Sequence, residues 1–188
     1  MARVLLLSAS PRREANSDIL ADAAAEGVRE ANGEAVKVRL AQLRIEPCDA
    51  CDTCQASRET PCVKHDAMQE LYPQVLEAHG LVFATPIYFF SASAQMKLFV
   101  DRLYALGGGG DWTALAGKKL GLIFTYGDSN PFHSGVANAY GMFRDAAHFL
   151  GMDLVDVVHA ACGGPGDVRG NPAAIDAARR LGRRLAGG

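Results

Sequence analysis

The sequence predicts a doubly wound α/β domain built on a parallel sheet of five strands. Four apolar runs rich in β-branched or aromatic residues are separated by segments with helical periodicity, and a weaker fifth run follows the first helix. Near-continuous apolar runs are typical of strands covered on both faces, and their alternation with helices requires right-handed crossovers. With 188 residues, 49% of them apolar, the chain is long enough for one domain with its own core.

The apolar runs and the amphipathic segments between them give the predicted elements. Strands are predicted at residues 3–7, 35–40, 81–85, 120–125 and 154–159. Helices are predicted at residues 17–31, 68–78, 94–104, 135–150 and 172–185. Ser17 is a suitable N-cap for the first helix, whose apolar residues recur at spacings of three and four. On the third helix, Lys97, Asp101 and Arg102 are expected to form surface ion pairs.

Charge and hydropathy argue against several classes of protein. The net charge of −2 and the pI near 6.2 do not suit a nucleic-acid partner, which requires a strongly basic face. No apolar run approaches the ~20 residues that span a bilayer. The apolar start is short and is followed by Pro11, Arg12 and Arg13, unlike a signal peptide. We therefore expect a cytoplasmic protein that binds neither nucleic acid nor membrane, with cysteines that are reduced thiols or metal ligands.

The first strand runs directly into a loop rich in hydroxyl groups and arginine, and a helix follows at once. Residues 4–17 read V-L-L-L-S-A-S-P-R-R-E-A-N-S. Free backbone N–H groups and the positive end of the helix dipole make this layout an anion site. The loop lacks the motifs of nucleotide hydrolases and of dinucleotide folds, so a phosphate monoester is the predicted ligand. The alternative is an ordinary turn in which Ser17 caps the helix and Arg12 is solvated.

An aromatic segment follows the third apolar run, where residues 85–94 read T-P-I-Y-F-F-S-A-S-A. In an open parallel sheet, ligands lie at the carboxyl ends of the strands near the switch in strand order, so this segment should meet the phosphate loop. Flat aromatic side chains beside a phosphate site predict a mononucleotide with a planar ring. Each aromatic residue taken singly could equally belong to the core.

These two segments resemble the flavodoxin-like NAD(P)H-dependent FMN reductase family, whose first loop reads roughly G-S-P-R-x-x-G-N-[TS] and whose third strand leads into T-P-x-Y. Five residues match the first pattern: Ser10, Pro11, Arg12, Asn16 and Ser17. Ala9 and Ala15 stand where the family usually has glycine. The resemblance implies a flavodoxin-like sheet of order 2-1-3-4-5 with helices on both faces, over a single domain spanning residues 1–188. It also implies FMN as cofactor, NAD(P)H as reductant and a homo-oligomer.

The resemblance assigns FMN contacts to the positions that match the family motifs. It places the phosphate among Ser8, Ser10, Arg12, Asn16 and Ser17. It places the ribityl chain and the isoalloxazine ring along Pro86, Ile87, Tyr88, Phe89 and Phe90. It expects a third contacting loop at Tyr126, Gly127 and Asp128. No catalytic side chain is predicted, because a flavin itself carries hydride chemistry.

Four of the five cysteines lie in one long connection, residues 41–67. Cys48, Cys51, Cys54 and Cys62 are spaced C-x2-C-x2-C-x7-C. Cubane iron–sulfur clusters are held by such thiols, whereas zinc usually takes two separated C-x2-C pairs. The motif resembles that of iron–sulfur flavoproteins, a branch of the same family with a [4Fe-4S] cluster beside FMN. The alternative is free thiols packed over the flavin or at a subunit interface. Cys162 is predicted to be a plain buried thiol.

The leading hypothesis is an FMN-dependent oxidoreductase that passes electrons from NAD(P)H to a flavin, quinone or similar small-molecule acceptor. The alternative is an iron–sulfur flavoprotein that relays electrons between protein partners through FMN and a [4Fe-4S] cluster. A third hypothesis is a flavin enzyme for one specialised metabolite, with the cysteine connection as its lid. Candidate contacts to the nicotinamide phosphate or to the acceptor are Arg13, His133 and Arg144.

Overall fold

Strands and helices alternate along residues 1–187, the part of the chain that this computed structural model describes. The strands are β1 (Arg3–Ser8), β2 (Glu34–Arg39), β3 (Gly80–Tyr88), β4 (Ser91–Ala92), β5 (Lys119–Tyr126) and β6 (Asp153–Ala161). The helices are α1 (Asn16–Glu30), α2 (Met68–Glu77), α3 (Ala94–Arg102), α4 (Val136–Phe149) and α5 (Pro172–Ala186). Gly188, the last residue of the predicted domain, lies outside the described residues. Within residues 1–187, no helix is long and apolar enough to cross a membrane.

Five of the strands form a parallel sheet in the order β2-β1-β3-β5-β6. This order departs from the predicted 2-1-3-4-5 by one element, because the two-residue β4 was not predicted and pairs antiparallel with the end of β3. From β1 the chain adds β2 on one side, and it adds β3, β5 and β6 on the other side. The strand order therefore reverses between β1 and β3, which are neighbours. Ser8 and Ala84 are partners in their register. The segments that follow β1 and β3 therefore emerge side by side at the carboxyl edge.

The core has two layers, one on each face of the sheet. On one face, α2, α3 and α4 contribute Met68, Phe99 and Phe143. On the other face, α1 and α5 pack against the sheet and against each other. Gly182 permits that close helix contact, because a Cβ there would lie 1.9 Å from the carbonyl oxygen of Ala24. The predicted α/β class with helices on both faces is confirmed.

Four strands, β1, β3, β5 and β6, end later than predicted. β3 runs on through Pro86, Ile87 and Tyr88, which the sequence placed in a loop, and β5 ends at Tyr126. The two-residue β4 folds back on β3 through a tight turn at Phe89 and Phe90. Antiparallel pairing satisfies the backbone of the β3 end beyond the parallel ladder, which explains why the strand continues past residue 85.

The prediction that Ser17 caps α1 is wrong. The helix begins at Asn16, and Ala15 occupies the cap position without a side-chain hydrogen bond. Ser17 is already inside the first turn and is 0% exposed. Its hydroxyl group therefore faces the interior and is free for another role.

The ion pairs predicted on α3 are half confirmed. Lys97 Nζ lies 2.5 Å from Asp101 Oδ1 on the exposed face of the helix. Arg102 is not on the surface, because the connection at residues 41–67 folds over the end of α3 and leaves its side chain 1% exposed. Its guanidinium pairs with Asp66 of that connection. The periodicity of a helix gives no information about a distant irregular segment that covers one of its residues.

Candidate functional site

A cleft of about 250 Å³ opens at the carboxyl edge of the sheet, where β1, β3 and β5 end. Eight of the predicted cofactor residues line it: Ser10, Arg12, Asn16, Pro86, Ile87, Tyr88, Tyr126 and Gly127. The other lining residues are Ala15, Thr125, Cys162, Gly163 and Pro165. Three segments that are far apart in the sequence thus converge as the strand order requires, and a fourth, after β6, joins them.

The start of α1 offers unused donors to the cleft. The backbone N–H groups of Asn16 and Ser17 donate no hydrogen bond to any group within residues 1–187. The Ser10 hydroxyl accepts the N–H of Arg12 (3.3 Å), which shapes the preceding loop. Free N–H groups at the positive end of a 15-residue helix suit an anion.

Two buried hydroxyl groups lie behind this loop without partners. Ser8 is 1% exposed and Ser17 is 0% exposed, and neither Oγ atom hydrogen-bonds within the described part of the chain. Neither residue lines the open cleft itself. An unpaired buried hydroxyl is unfavourable, and a phosphate oxygen at the helix start would supply the missing partner. These residues therefore fit the phosphate of FMN.

Asn16 lines the cleft, but its side chain is already engaged. Its Nδ2 donates to the carbonyl oxygen of Gly164 (2.8 Å), and its Oδ1 accepts the N–H of Val168 (3.1 Å). Asn16 thereby ties the start of α1 to the segment after β6. The resemblance assigned this residue to the phosphate, whereas in the structure its side chain links two sides of the cleft.

Cys162 is the first residue after β6. It is partly exposed and lines the cleft, so the prediction that it is a plain buried thiol is wrong. Burial, with the nearby Asp167 carboxylate, raises the pKa of Cys162, so the thiol is neutral near pH 7. Gly163 and Pro165 line the same wall. The run C-G-G-P-G directly after a strand was the available signal, because glycine allows a backbone to approach a ligand closely.

Thr85 and Ser93 fix the aromatic end of β3 against the first loop, a role the sequence did not reveal. Thr85 Oγ1 accepts the N–H of Ser93 (3.0 Å), and Ser93 Oγ donates to the carbonyl oxygen of Ala9 (3.0 Å). Both side chains are 0% exposed. Ser93 also caps α3, and its position just before the predicted helix was the sequence signal.

Arg12 and Tyr88 flank the mouth of the cleft. The guanidinium of Arg12 lies 5.7 Å from the centre of the Tyr88 ring, a cation–π contact. Arg39 Nη2 donates to the carbonyl oxygen of Arg12 (3.1 Å), which holds the backbone of the loop. A positive charge is thus placed at the entrance while its side chain remains exposed.

Tyr126 forms part of the cleft at the end of β5. Its hydroxyl lies 3.0 Å from His159 Nδ1, and burial raises the pKa of Tyr126, so the hydroxyl keeps its proton. Asp128 lies outside the cleft. Hydrogen bonds from the N–H groups of Asn130 and Ser129 lower the pKa of Asp128, so its carboxylate is charged at neutral pH.

A second depression, called here the adjoining hollow, shares Ile87, Tyr126 and Gly127 with the cleft. Its remaining lining residues are Phe89, Phe90, Asp128, His133 and Ser134. Three residues that the resemblance assigned to FMN, Phe89, Phe90 and Asp128, therefore lie in this hollow rather than in the cleft. Of the further candidates, His133 lines the hollow, whereas Arg13 and Arg144 line neither depression.

The four clustered cysteines do not form a metal site in this arrangement. Cys48 and Cys51 are exposed, Cys54 is buried, and Cys62 is half-buried with its sulfur accepting from Arg102 Nη2 (3.3 Å). Burial raises the pKa of the Cys54 thiol. Among residues 1–187, no three His, Cys, Asp or Glu side chains converge closely enough to hold a metal ion. As folded here, the segment does not fit a cluster.

A flavodoxin-like sheet with a phosphate loop and an aromatic strand end at the switch point defines a mononucleotide-binding protein. The family model of the NADPH-dependent FMN reductases matches residues 2–161. The chain therefore belongs to this family of enzymes. The match covers β1 to β6, including the loops that supply most of the cleft.

Curated relatives carry two kinds of name. An iron-sulfur flavoprotein of Methanocaldococcus jannaschii is 26% identical, over 98% of this chain and 95% of that protein. A Bacillus subtilis protein named as an NAD(P)H-dependent FMN-containing oxidoreductase is 28% identical, over 97% of each chain. An iron-sulfur flavoprotein of Archaeoglobus fulgidus is 36% identical, but the alignment spans 62% of this chain and about half (51%) of that protein.

Solved structures share the fold along nearly the whole chain. The Trp repressor binding protein of Bacillus subtilis is 26% identical with a TM-score of 0.68, over 95% of this chain and 98% of that one. An NAD(P)H:quinone oxidoreductase of Methanothermobacter marburgensis is 21% identical with a TM-score of 0.74, over 98% and 96%. At 21% identity, the likeness to the Methanothermobacter marburgensis protein shows the fold alone.

Proposed function

We propose that this protein is an FMN-dependent oxidoreductase that takes electrons from NAD(P)H and passes them to a small-molecule acceptor. The observation that carries the proposal is the juxtaposition of two features in one cleft. Unpaired donors at the start of α1 lie beside the aromatic end of β3, which suits a phosphate joined to a planar ring. Membership of the FMN reductase family supports the same assignment.

The residues divide between the two ends of the cofactor. The phosphate would be held by Ser8, Ser10, Arg12 and Ser17 and by the free N–H groups of Asn16 and Ser17. Pro86, Ile87 and Tyr88 on one side and Tyr126 and Gly127 on the other would bound the ring. The bound flavin would supply the hydride-accepting and electron-donating chemistry.

The protein's own residues position the cofactor and keep additional negative charge away from it. Tyr126 keeps a neutral hydroxyl and Cys162 a neutral thiol beside the cleft, so neither adds a negative charge where reduction builds one up. Arg12 places a positive charge at the phosphate end. These groups orient a cofactor and move no proton themselves.

We also infer that a second copy of the chain completes the site. The cleft, at about 250 Å³, is smaller than the ~300–1,000 Å³ pockets that enclose ligands. An isoalloxazine ring would therefore project beyond it toward the adjoining hollow, which is open on its outer side, and the family resemblance implies a homo-oligomer that could cover this opening. Sedimentation equilibrium of the FMN-loaded protein should give a mass above that of one chain, and a monomer would contradict this inference.

The proposal is tested with FMN-reconstituted protein. Oxidation of NADH and NADPH is followed at the nicotinamide absorbance, with riboflavin, menadione and ferricyanide as acceptors. We expect one FMN per chain and acceptor-dependent turnover. Absence of FMN binding together with absence of oxidation for every acceptor would overturn the proposal.

A second candidate function is electron relay by an iron–sulfur flavoprotein. It is favoured by the C-x2-C-x2-C-x7-C spacing and by relatives named iron-sulfur flavoprotein. Anaerobically purified protein is analysed for iron, sulfide and visible absorption. About four irons per chain, lost in Cys48→Ser but kept in Cys162→Ala, would establish a cluster on this segment. A two-band flavin spectrum without iron would contradict the relay function, and the FMN-dependent oxidoreductase would then be the remaining candidate.

A further inference from the structure

A third depression, called here the tryptophan hollow, lies where the ends of α3 and α4 meet the segment that follows α3. Within residues 1–187 it shares no lining residue with the cleft or with the adjoining hollow. Its volume of about 310 Å³ falls in the ~300–1,000 Å³ range of sites that bind small molecules. Its walls are formed by three aromatic rings and three aliphatic side chains: Tyr104, Trp112, Phe149, Val100, Leu103 and Leu150.

Trp112 is the central ring of this set and the one tryptophan in the sequence. Its centroid lies 5.5 Å from that of Tyr104 and 5.0 Å from that of Phe149, and both pairs of rings are tilted. Gly107 makes room for the indole, because a Cβ at that residue would overlap the ring. The glycine run at residues 107–110 therefore begins where a large ring lies directly against the backbone.

Tyr104 is held in place by the connection that carries the clustered cysteines. Its hydroxyl donates to Asp52 Oδ1 (3.0 Å), and its carbonyl oxygen accepts Gln55 Nε2 (2.8 Å). The same connection packs closely on Gly108, where a Cβ would overlap the carbonyl oxygen of Ser57. One wall of the hollow is thus anchored before any ligand binds, which lowers the entropic cost of binding.

Two of the rings remain open to solvent. Phe149 is 61% exposed and Tyr104 is 37% exposed. Single exposed apolar residues are common, but contiguous aromatic surface around a depression marks an interaction site. A stable protein partner would need about 20–30 residues on each side, whereas eight residues line this hollow. Its dimensions therefore suit a small molecule.

The charge of the hollow favours a cation. Among the described residues that line it, Asp101 alone carries a charge. The Asp101 carboxylate pairs with Lys97 Nζ, but both side chains are about half exposed, and an exposed pair of this kind contributes little stability. A second cation can therefore approach the carboxylate at small cost.

The aromatic walls favour the same kind of ligand. Aromatic rings attract a cation over their faces, and tryptophan does so most strongly. Aromatic and aliphatic side chains offer few acceptors for the N–H groups of a primary ammonium or a guanidinium group. An alkylated ammonium does not need such acceptors, and its alkyl groups present apolar surface to the walls.

We propose that the tryptophan hollow binds a small organic cation of the alkylated ammonium class, with the charged group against the aromatic rings and beside Asp101. This site is separate from the flavin cleft, so the proposal goes beyond the proposed function and does not depend on it.

Binding is measured on the full chain supplied with FMN, by the fluorescence of its single tryptophan. Choline is the probe, and 3,3-dimethylbutanol, in which carbon replaces the charged nitrogen, is its uncharged counterpart. Sodium chloride keeps the ionic strength constant. We expect a saturable change in Trp112 emission with choline and a Kd about tenfold higher for the alcohol.

Variants of the hollow separate charge from shape. Asp101→Asn keeps the shape and should raise the Kd for choline about fivefold to tenfold, while the Kd for the alcohol stays within about twofold. Phe149→Leu keeps an apolar side chain but removes one aromatic face, so it should act in the same direction. Lys97→Ala removes the competing cation and should lower the Kd for choline.

Phe132→Ser is the matched control, because the Phe132 ring is 76% exposed and lies outside the tryptophan hollow. It should leave the Kd of both probes within about twofold.

Three outcomes would overturn the inference. Equal Kd values for choline and the alcohol would show an apolar site without preference for a cation. Absence of a saturable response in the folded protein would show that this class of ligand does not bind. A Trp112 emission that changes with protein concentration, and with neither probe, would assign the hollow to a contact between copies of the chain. None of these outcomes bears on NAD(P)H oxidation, so the proposed function stands or fails separately.

Discussion

Arg102 Nη1 lies 2.5 Å from Asp66 Oδ2, and each side chain is 1% exposed. A second contact, from Nη2 to Asp66 Oδ1 (3.2 Å), makes the pair bidentate. The same guanidinium donates to the carbonyl oxygen of Glu46 (2.8 Å) and to the sulfur of Cys62 (3.3 Å). One buried cation at the end of α3 thus anchors both ends of the segment that carries the clustered cysteines.

Arg102→Met should destabilise the protein by about 3–5 kcal/mol, because it leaves the Asp66 carboxylate buried without its partner. Urea unfolding followed by circular dichroism measures the change. The double variant with Asp66→Leu should lose less than Arg102→Met, since no charge is then left unpaired. Lys97→Ala, which breaks the exposed pair with Asp101, serves as the control and should stay within about 0.5 kcal/mol.

The Asp66 carboxylate should also make stability depend on acid pH. Burial by itself raises the pKa of Asp66, but hydrogen bonds from Arg102 and from two backbone N–H groups outweigh it and hold the pKa below its ordinary value. A lowered folded-state pKa stabilises the protein above about pH 4, and this stability is lost as pH falls further. Urea midpoints between pH 6 and 3 should therefore fall more steeply in the wild type than in Asp66→Asn. Parallel curves would refute this assignment.

Asn16→Ala should open one wall of the cleft. The carbonyl of Gly164 and the N–H of Val168 would both lose their partner, at a cost of about 1–3 kcal/mol. FMN affinity, measured by quenching of flavin fluorescence, should weaken about tenfold. Asn16→Asp keeps the acceptor for Val168 and loses the donor for Gly164, so its loss of stability should be intermediate, while its added negative charge should weaken binding of the FMN phosphate further. Equal losses of stability in the two variants would contradict a two-sided clasp.

Arg12→Ala should weaken FMN binding about tenfold to a hundredfold, because it removes a charged donor from the phosphate end. Riboflavin, which lacks the phosphate, should bind the variant and the wild type alike. Arg13→Ala, an exposed neighbour that does not line the cleft, is the matched control and should leave FMN affinity within about twofold. A parallel loss of riboflavin affinity would place Arg12 against the ring rather than the phosphate.

Local patterns in the sequence carried most of the fold. Alternating apolar runs and helical periodicity predicted five strands and five helices close to their observed bounds, because both patterns report which faces are buried. The short β4 could not be predicted from the sequence, since two residues show no periodicity. Ser17 was misread as a cap because a hydroxyl at a helix start has two uses, and only the burial of its side chain distinguishes them.

The sequence by itself determined that loops after β1, β3 and β5 meet, because parallel strands bring their carboxyl ends to one edge. Only the tertiary structure decided what else joins them. Cys162 is held at the cleft by its N–H, which donates to the carbonyl oxygen of Tyr126 (2.7 Å), and the rings of Phe89 and Phe90 lie outside the cleft. Contacts between residues far apart along the chain, such as Arg102 with Asp66, depend on how irregular segments fold over a finished sheet. No local pattern encodes them.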